Sequence, residues 1–292
     1  MKQQIERVLN QIGDHSAIRE IKPVSGGDIN DAFYTATDER SYFMKGNRNV
    51  PSHFFKAEAA GLEAIRQTQT VSVPEVYYYD EPEPDETALI ALEWIDGNGN
   101  GPSQSSEKLG RNLALMHQHT AKNYGFSEDT FVGELDQPND WKDSWVEYYR
   151  DNRLYRQYKL GMRNGRISGK RQDRLENLLS HLEDFIPMHP ASALLHGDLW
   201  GGNYLTSSSG EPYLIDPSVL FGDPQFEIAF TELFGGFASS FYSSYQQVTP
   251  LSKEYEEVKP IYQLFYLLVH LNIFGETYGS GVDRILKKYI GS

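Results

Sequence analysis

The sequence predicts an α+β fold of two lobes, with a small β-sheet lobe that contains one helix followed by a larger, mainly helical lobe. In the first part of the chain, short β-prone runs alternate with one segment of helical spacing. Most later segments repeat apolar residues every three or four positions, as amphipathic helices do. GNGNGPS at 97–103 has the glycines and the proline of a linker. We therefore place the lobes at residues 1–96 and 97–292.

Composition limits the classes of function. The 292 residues carry a formal net charge of −14 at pH 7, which argues against nucleic-acid or anionic-membrane binding as the main activity. A bound anion would therefore need a local cation or a metal. Because the chain has no cysteine, it can form neither a disulfide nor a thiolate metal site. The first residues, MKQQIERVLNQIG, are too polar for a secretory signal, so we expect a soluble cytoplasmic protein.

Three patterns define the first lobe. AFYTAT (32–37) and RSYFMK (40–45) are β-prone runs separated by polar residues, as in a hairpin, and Lys45 is predicted to end the second strand. HFFKAEAAGLEAIRQT (53–68) has the apolar spacing of a helix. TALIALEWID (87–96) is predicted to be an apolar strand that leads into the linker.

The second lobe begins with segments of helical spacing. They are SSEKLGRNLALMHQHT (105–120), WKDSWVEYYRDNRLYRQY (141–158) and KRQDRLENLLSHLEDFI (170–186). For the first of them we prefer the interpretation of a core helix, because its leucines and methionine lie on one helical face. These segments predict the helical scaffold, and the chemistry is expected elsewhere.

The most informative segment is LLHGDLWGGNYLTSSSGEPYLIDP at 194–217. It places Asp198 five residues before Asn203 and eighteen before Asp216. If YLT and YLI pair across SSSGEP, antiparallel geometry brings Asn203, just before the first strand, beside Asp216, just after the second. Mg²⁺ prefers such oxygen ligands, completed by phosphates and water. Asp198, on the loop before the hairpin, would project towards the same point.

This spacing is typical of phosphoryl transfer. HGDLWGGN has the Asp-to-Asn spacing of the kinase catalytic loop HRDLxxxN, and IDP occupies the place of the metal-binding DFG. The reaction needs metals to offset phosphate charge and a carboxylate that orients the attacking hydroxyl and accepts its proton. The alternative is that Asp198 and Asn203 only cap a turn, since both residue types favour turns.

Two features of the first lobe fit the same chemistry. Lys45 and Glu58, thirteen residues later on the predicted helix, match the kinase ion pair that holds the lysine against the α- and β-phosphates. Taken alone, Lys45 would be a solvated surface residue. SGGDIN (25–30), with Gly26 and Gly27, is interpreted as a phosphate-covering turn. It lacks the G-x-G-x-x-G pattern, and an ordinary hairpin turn would look similar.

On these motifs the chain resembles the fructosamine kinase (ketosamine-3-kinase) family, within the aminoglycoside and choline kinase branch of the protein-kinase-like superfamily. The resemblance covers nearly the whole length. The broader branch shares HGDxxxxN and the later aspartate, and Trp200 is the best single discriminator of the family. The family is further indicated by GGDINDAFY, FKAEAAGLEAI, HGDLWGGN, IDPSVLFGDPQFEIAF and HLNIFG.

The resemblance implies a protein-kinase-like fold and a site that uses ATP and Mg²⁺. It makes Asp198 the catalytic base and makes Asn203 and Asp216 the metal ligands. Lys45 would contact the phosphates, with Glu58 as its partner. Two residues of the hinge between the lobes would meet adenine through their backbones, namely Glu93 and Ile95.

The resemblance also supplies the substrate, a ketosamine formed when a reducing sugar glycates an amine, such as a fructosamine or a ribulosamine. Phosphorylation of its 3-hydroxyl would serve deglycation repair, because a phosphate on carbon 3 leaves once the neighbouring carbonyl enolises. Two alternatives stay open. The motif does not specify the acceptor, so an aminoglycoside, choline or a related alcohol is possible. The second alternative is a catalytically inactive pseudokinase that binds a nucleotide or a partner. The joint retention of Lys45, Asp198, Asn203 and Asp216 argues against it.

Five further side chains have less specific predictions. His196 and Glu227 are expected to brace the catalytic loop. Asp223 is either a bracing carboxylate or a turn residue. His270, in an apolar helical face, is predicted to be a core histidine. Trp200, two positions after the proposed base, would form either a wall for the acceptor sugar or a buried anchor of the loop.

Overall fold

The computed structural model of the protein describes residues 1–24, 30–98 and 103–291. Its first part is an antiparallel sheet with two helices. In chain order these elements are α1 (Lys2–Gln11), β1 (Ile18–Pro23), β2 (Asp31–Thr37), β3 (Ser41–Arg48), α2 (Phe54–Gln67), β4 (Val76–Tyr79) and β5 (Thr87–Glu93). The strand order in the sheet is β1-β2-β3-β5-β4. The predicted hairpin is confirmed as β2 and β3, which pair antiparallel.

Strand β5 is buried on both faces. Ala88, Ile90 and Leu92 belong to the large core, to which α2 contributes, whereas Leu89 and Ala91 belong to a second core that contains residues of α1. Successive side chains of a strand point to opposite faces, so helices on both sides require apolar residues at every position. This explains why the centre of the strand, ALIAL at 88–92, is a continuous apolar run.

The prediction of one helix in the small lobe was wrong, because α1 is a second one. Ile5, Val8 and Leu9 are spaced as i, i+3 and i+4, and all three are buried in the core that also contains Met44. The polar residues between them lower the mean hydropathy of the segment and conceal this apolar stripe.

The rest of the chain is mainly helical. Its helices are α3 (Ser103–Met116), α4 (Trp145–Tyr148), α5 (Tyr155–Arg163), α6 (Gly169–Ser180), α7 (Pro224–Thr231), α8 (Ser239–Val248), α9 (Tyr255–Phe274) and α10 (Gly279–Ile290). Its short strands are β6 (Gly97–Asn98), β7 (Thr130–Val132), β8 (Leu135–Gln137), β9 (Ala193–Leu195), β10 (Tyr204–Ser207), β11 (Pro212–Leu214) and β12 (Leu220–Gly222). Helix α9 packs against α5, α7 and α10. Among the described residues, no helix is both long and apolar enough to cross a membrane.

The hairpin predicted after the catalytic-loop motif is present. Strands β10 and β11 pair antiparallel, with Tyr204 opposite Leu214. Just outside the paired residues, the N–H of Ile215 donates to the carbonyl of Asn203 at 3.0 Å. This distance is typical of a backbone hydrogen bond. Asn203 and the residue after Ile215 are therefore adjacent, as the spacing of the motif requires.

The segment 141–158, predicted as one helix, is not regular. Its helix begins at Trp145, and a π-helical stretch covers Tyr149–Leu154. Within that stretch the buried Arg153 guanidinium donates to the Oδ1 atom of Asn139 at 2.7 Å. Such π-helical stretches are rare and lie inside α-helices, so a pattern of apolar residues every three or four positions does not predict where they occur.

Candidate active site

The catalytic-loop motif follows β9 directly. Gly197 has a φ of +82°, and a Cβ at this position would lie 1.9 Å from the carbonyl oxygen of Ser218. Only glycine fits this left-handed turn and its close backbone contact. The turn orients Asp198, the next residue, into a cavity between the two parts of the chain.

Asn203 is held against Asp198. Its Nδ2 atom donates to the backbone oxygen of Asp198 at 2.8 Å and to the Oδ2 carboxylate oxygen at 3.1 Å. Asn203 is buried. Because the NH₂ group is used in this way, the Oδ1 oxygen of the amide points to the other side, where a cation would find a ligand.

Lys45 joins the small lobe to the hairpin. Its Nζ atom lies 2.7 Å from the Oε1 atom of Glu58 on α2 and also contacts the Oδ1 atom of Asp216. Lys45 lies inside β3, which continues to Arg48, so the prediction that it ends the strand was wrong. The strand is longer because its pairing with β5 extends to Arg48 and Thr87.

Asp216 has an unusual backbone conformation. Its φ of 55° lies in the left-handed region, which non-glycine residues enter at a cost of about 1 to 2 kcal/mol. Strained residues of this kind persist where the surroundings hold them, commonly at functional sites. Here the conformation accompanies the turn from the hairpin towards Lys45.

The charges in this group influence one another. Burial, and then the nearby Asp216 carboxylate, raise the pKa of Asp198 well above its usual value. Burial likewise raises the pKa of Glu58, against the opposing effect of Lys45. For Lys45, burial alone would lower the pKa, but the Asp216 and Glu58 carboxylates outweigh it and raise the pKa. Lys45 is therefore a buried cation paired with two carboxylates, those of Glu58 and Asp216.

These residues share one cavity of about 470 Å³. Its charged part is lined by Lys45, Glu58, Asp198, Asn203 and Asp216. The remainder is largely apolar, and many of its side chains come from α9 and the segments beside it. The rings in the described lining are Phe54, Phe131, Trp200, Phe230, Phe234, His270, Phe274 and Tyr278.

The donor atoms suit a magnesium ion that is completed by phosphate oxygens. Mg²⁺ is usually bound through one or two carboxylates, with water and substrate phosphates as its other ligands. Asn203 and Asp216 offer such a partial set of oxygens. Over the described ranges, no group of three or more acidic or histidine side chains could hold a metal alone. The residues therefore fit a metal that arrives with a nucleotide.

The bracing roles predicted for His196 and Glu227 agree with their contacts. The Nε2 atom of His196 lies 2.8 Å from the carbonyl oxygen of Ile215, and burial lowers the pKa of its imidazole. The Oε1 atom of Glu227 accepts a hydrogen bond of 2.7 Å from the N–H of Gly197. The hydroxyl of Tyr266 donates to the carbonyl of Gly197 at 2.8 Å. Both backbone groups before Asp198 are thus fixed by buried side chains.

Sequence reasoning missed His117, the partner of Glu227. The Nε2 atom of His117 lies 2.8 Å from the Oε2 atom of Glu227, and its Nδ1 atom lies 2.7 Å from the hydroxyl of Tyr245. The side chains of His117 and Glu227 are wholly buried. Although burial alone would raise the pKa of Glu227, its hydrogen bond with His117 helps to lower it. No local signal marks His117, since it ends an ordinary amphipathic helix.

Asp223 is a helix cap. Its Oδ1 atom accepts from the N–H of Gln225 at 2.9 Å at the start of α7, and its Oδ2 atom accepts from the hydroxyl of Tyr262 at 2.6 Å. Burial raises its pKa to about 6. Asp223 therefore fixes the beginning of the helix that carries Glu227, which combines the two roles considered for it.

Two aromatic residues discussed above, Trp200 and His270, line the cavity. Trp200 is 44% exposed and lines the cavity, so it is not a buried anchor. Its ring covers Gly202, where a Cβ would come within 2.3 Å of the ring. His270, predicted to be a core histidine, is half-buried and also lines the cavity. Its position in an apolar helix conceals that one side of that helix borders the cavity.

Three parts of the predicted nucleotide site are less defined. Gly26 and Gly27 lie outside the described residues. Glu93 ends β5, and its N–H donates to the carbonyl of Glu75 at 2.8 Å, so an adenine contact of Glu93 would come from its carbonyl. Glu93 and Ile95 are absent from the described lining of the cavity. Their contact with adenine remains a prediction.

Fold and site together define a two-lobed phosphotransferase of the protein-kinase-like class. The aminoglycoside phosphotransferase APH(4)-Ia, solved by crystallography, superposes with a TM-score of 0.63 at 15% identity and covers 99% of each chain. At this identity the likeness shows the fold alone. A crystal structure of a candidate fructosamine-3-kinase from Haemophilus somnus superposes with a TM-score of 0.86 at 26% identity, covering 97% of this chain and 95% of that one.

The particular family follows from the sequence comparison. A family model described as fructosamine kinase matches residues 1–292. A "Probable ketoamine kinase" of Enterococcus faecium is 38% identical over 274 residues, which cover 92% of this chain and 95% of the relative. The chloroplastic protein-ribulosamine 3-kinase of Arabidopsis thaliana is 35% identical over 283 residues, 95% of this chain and 85% of the relative. The chain belongs to the fructosamine kinase family.

Proposed function

We propose that the protein is an ATP-dependent kinase that phosphorylates the 3-hydroxyl of ketosamines such as fructosamines and ribulosamines. One observation carries the proposal: a chain of this family brings Lys45, Asp198, Asn203 and Asp216 to a single cavity. The names of its relatives, a ketoamine kinase and a ribulosamine 3-kinase, support this class of acceptor.

Asp198 is the catalytic base in this proposal. It accepts the proton of the 3-hydroxyl while that oxygen forms a bond to the γ-phosphorus of ATP, and the bond from this phosphorus to the β,γ-bridging oxygen breaks, releasing ADP. The hydrogen bonds that fix Gly197 and Asn203 hold Asp198 in place. Positioning of this kind supplies much of the rate in phosphoryl transfer.

Lys45, Asn203 and Asp216 bind the nucleotide end. Lys45 contacts the α- and β-phosphates, and Glu58 orients it through the ion pair of 2.7 Å. Asn203 and Asp216 would hold magnesium, which when bound offsets the charge of the phosphates. We place the adenine at the hinge residues Glu93 and Ile95.

The product explains a repair role. A phosphate on carbon 3 of a ketosamine leaves readily once the neighbouring carbonyl enolises, and hydrolysis then releases the original amine. Deglycation of amines inside the cell would suit a cytoplasmic enzyme, and we propose that the protein is cytoplasmic. A chain without cysteine is compatible with that compartment.

The cavity disfavours an aminoglycoside as the acceptor. An aminoglycoside carries several positive charges, yet beyond the charged part the described lining is mainly apolar and aromatic. A pseudokinase would not need Asp198, Asn203 and Asp216 to converge with a buried lysine. We therefore prefer an active ketosamine kinase to an aminoglycoside kinase and to a pseudokinase, and the substrate panel below tests choline.

The test is ATP consumption against a panel of fructosamines, ribulosamines, aminoglycosides and choline, with and without Mg²⁺. Phosphorus NMR of the product locates the new phosphate. We expect turnover with a ketosamine, dependence on Mg²⁺ and a phosphate on carbon 3. Turnover only with an aminoglycoside or choline, or a phosphate on another carbon, would contradict the proposal.

A further inference from the structure

The apolar part of the cavity contains a cluster of four rings. This aromatic cluster consists of Phe234, His270, Phe274 and Tyr278. The centroid of the His270 ring lies 4.6 Å from that of Phe234, 4.9 Å from that of Tyr278 and 5.5 Å from that of Phe274. All four side chains line the same cavity as Asp198.

Two members of the cluster are exposed in a way that core rings are not. Phe234 is 42% and Phe274 is 55% exposed. Of the nine large hydrophobic side chains exposed among the described residues, four line this cavity, the other two being Trp200 and Ile273. Exposed apolar side chains grouped at one site mark a binding surface rather than random scatter.

The aromatic cluster is linked to the catalytic loop through one residue of α9. The hydroxyl of Tyr266 donates to the carbonyl of Gly197, directly before Asp198, at 2.8 Å. One helical turn later, the Nδ1 atom of His270 lies 2.8 Å from the carbonyl of Tyr266. Helix α9 therefore carries His270 one turn, about 5.4 Å along its axis, beyond the residue that contacts the catalytic loop.

The contact with Tyr266 determines the tautomer of His270. A carbonyl can only accept, so Nδ1 carries the proton and Nε2 is left as an acceptor. Burial lowers the pKa of this imidazole, which favours its neutral form. An acceptor nitrogen beside aromatic rings is suited to a cationic N–H donor.

We infer that the aromatic cluster is the subsite for the protonated amine of the acceptor. The faces of Phe234, Phe274 and Tyr278 attract the ammonium group, and the Nε2 atom of His270 accepts one of its N–H bonds. This inference rests on the proposed function, in which the 3-hydroxyl lies at Asp198. The amine of a ketosamine is on carbon 1, at most about 5 Å from that hydroxyl by ordinary bond lengths. It must therefore lie in the same cavity.

The charges of the cavity agree with a single small cation. The charged side chains in its described lining are Lys45, Glu58, Asp198 and Asp216, all of which belong to the phosphoryl-transfer group. The aromatic cluster contains no carboxylate, which a polycation would need. It also contains no lysine or arginine, which would favour an acceptor with a carboxylate beside its amine. Rings alone favour an ammonium with alkyl substituents.

The experiment compares two sugars that cannot be phosphorylated. The first is 1-methylamino-1,3-dideoxyfructose, whose nitrogen is charged at pH 7. The second carries an acetyl group on the same nitrogen and is neutral. Calorimetry measures the affinity of each for the full chain with Mg-AMP-PNP. We expect the wild-type protein to bind the charged sugar more tightly than the neutral one.

Conservative variants then separate the ring faces from simple apolar contact. Phe274→Leu and Phe234→Leu keep apolar side chains at exposed positions, so the fold is expected to tolerate them. Each should weaken binding of the charged sugar about two- to fivefold while changing that of the neutral sugar much less. Met188→Leu, at a position 50% exposed and outside the described lining of the cavity, is the matched control.

The outcomes distinguish this subsite from the proposed function. Unchanged affinity in both phenylalanine variants, equal losses for the two sugars, or failure of the charged sugar to bind the wild type would each overturn the subsite. Phosphorylation is measured separately with the 3-hydroxyl compound. If that compound binds with the expected charge preference but is not phosphorylated, the subsite stands and the proposed activity fails.

Discussion

Glu227 accepts a hydrogen bond of 2.7 Å from the backbone N–H of Gly197, the residue directly before Asp198. The other oxygen of the same carboxylate is bound by His117, and both side chains are wholly buried. The position of the proposed base thus depends on a charge that touches neither phosphate nor sugar. Glu227 is a positioning residue.

Glu227→Gln should lower kcat about tenfold with little change in KM for ATP. The amide still offers an oxygen to Gly197, but the charge-assisted hydrogen bond becomes a neutral one of roughly half the strength. Steady-state kinetics well below the melting temperature measure both constants. Glu254→Gln, at an exposed position before α9, is the control. A purely structural role predicts unaltered kcat in the folded fraction, and that result would count against positioning.

Asp198→Asn should fold normally and bind Mg-ATP but lose turnover by about 10² to 10⁴, the usual contribution of a general base. The substitution keeps the shape of the side chain and an oxygen for Asn203. Stopped assays of product, with calorimetry of nucleotide binding, separate the two effects. Asp216→Ala is the contrasting variant, since it should weaken Mg²⁺-dependent nucleotide binding. Near-normal turnover of Asp198→Asn would disprove its role.

Lys45→Met should reduce kcat/KM for ATP about 10- to 100-fold, the scale of one lost charge-assisted contact. The methionine replaces most of the aliphatic stem, so the fold should persist, as a circular dichroism spectrum would show. Lys22→Met, at an exposed position on β1 of the same sheet, is the control. Wild-type kinetics in Lys45→Met would mean that the ion pair with Glu58 has no part in nucleotide binding.

Trp200→Ala should raise KM for a ketosamine about three- to tenfold and leave KM for ATP unchanged, because an exposed ring beside the cavity is lost. The melting temperature should change little. Gly202→Ala should act in the same direction, since its Cβ would come within 2.3 Å of the Trp200 ring and displace it. Trp141→Ala, equally exposed at 46% but outside the described lining, is the control. A large fall in melting temperature without loss of sugar affinity would contradict the role of Trp200 as a wall of the acceptor site.

Asp223 predicts a pH dependence of stability. Its pKa rises from 3.8 to about 6 on folding, so the folded state holds the proton more tightly. The stabilisation is therefore full below about pH 4 and is lost as the pH rises to about 6, by roughly 3 kcal/mol in total. Relative to Asp223→Asn, the wild-type free energy of unfolding should fall over this range in urea titrations. Asp173→Asn, at an exposed position, is the control. Parallel plots of the free energy of unfolding against pH for wild type and Asp223→Asn would contradict the raised pKa of Asp223.

Much of the candidate site could be predicted because it is encoded by local spacing. A hairpin brings Asn203 beside Asp216 whatever the rest of the fold does, since register follows from the strands themselves. The regular strand and helix that carry Lys45 and Glu58 were recognisable for the same reason. Local patterns also predicted the two-part α+β architecture, apart from α1, whose short apolar stripe is diluted by polar residues.

The class of fold, the family and the residues proposed for phosphoryl transfer were therefore predictable from local patterns along the chain. Which side chains support and border these residues depends on the tertiary packing. His117 and Glu227 are separated by 110 residues, and Tyr266 reaches Gly197 across 69. His270 and Phe274 belong to an apolar helix whose cavity-facing side is set by the packing of its neighbours. Such contacts depend on how distant elements dock, and no periodicity along the chain records that arrangement.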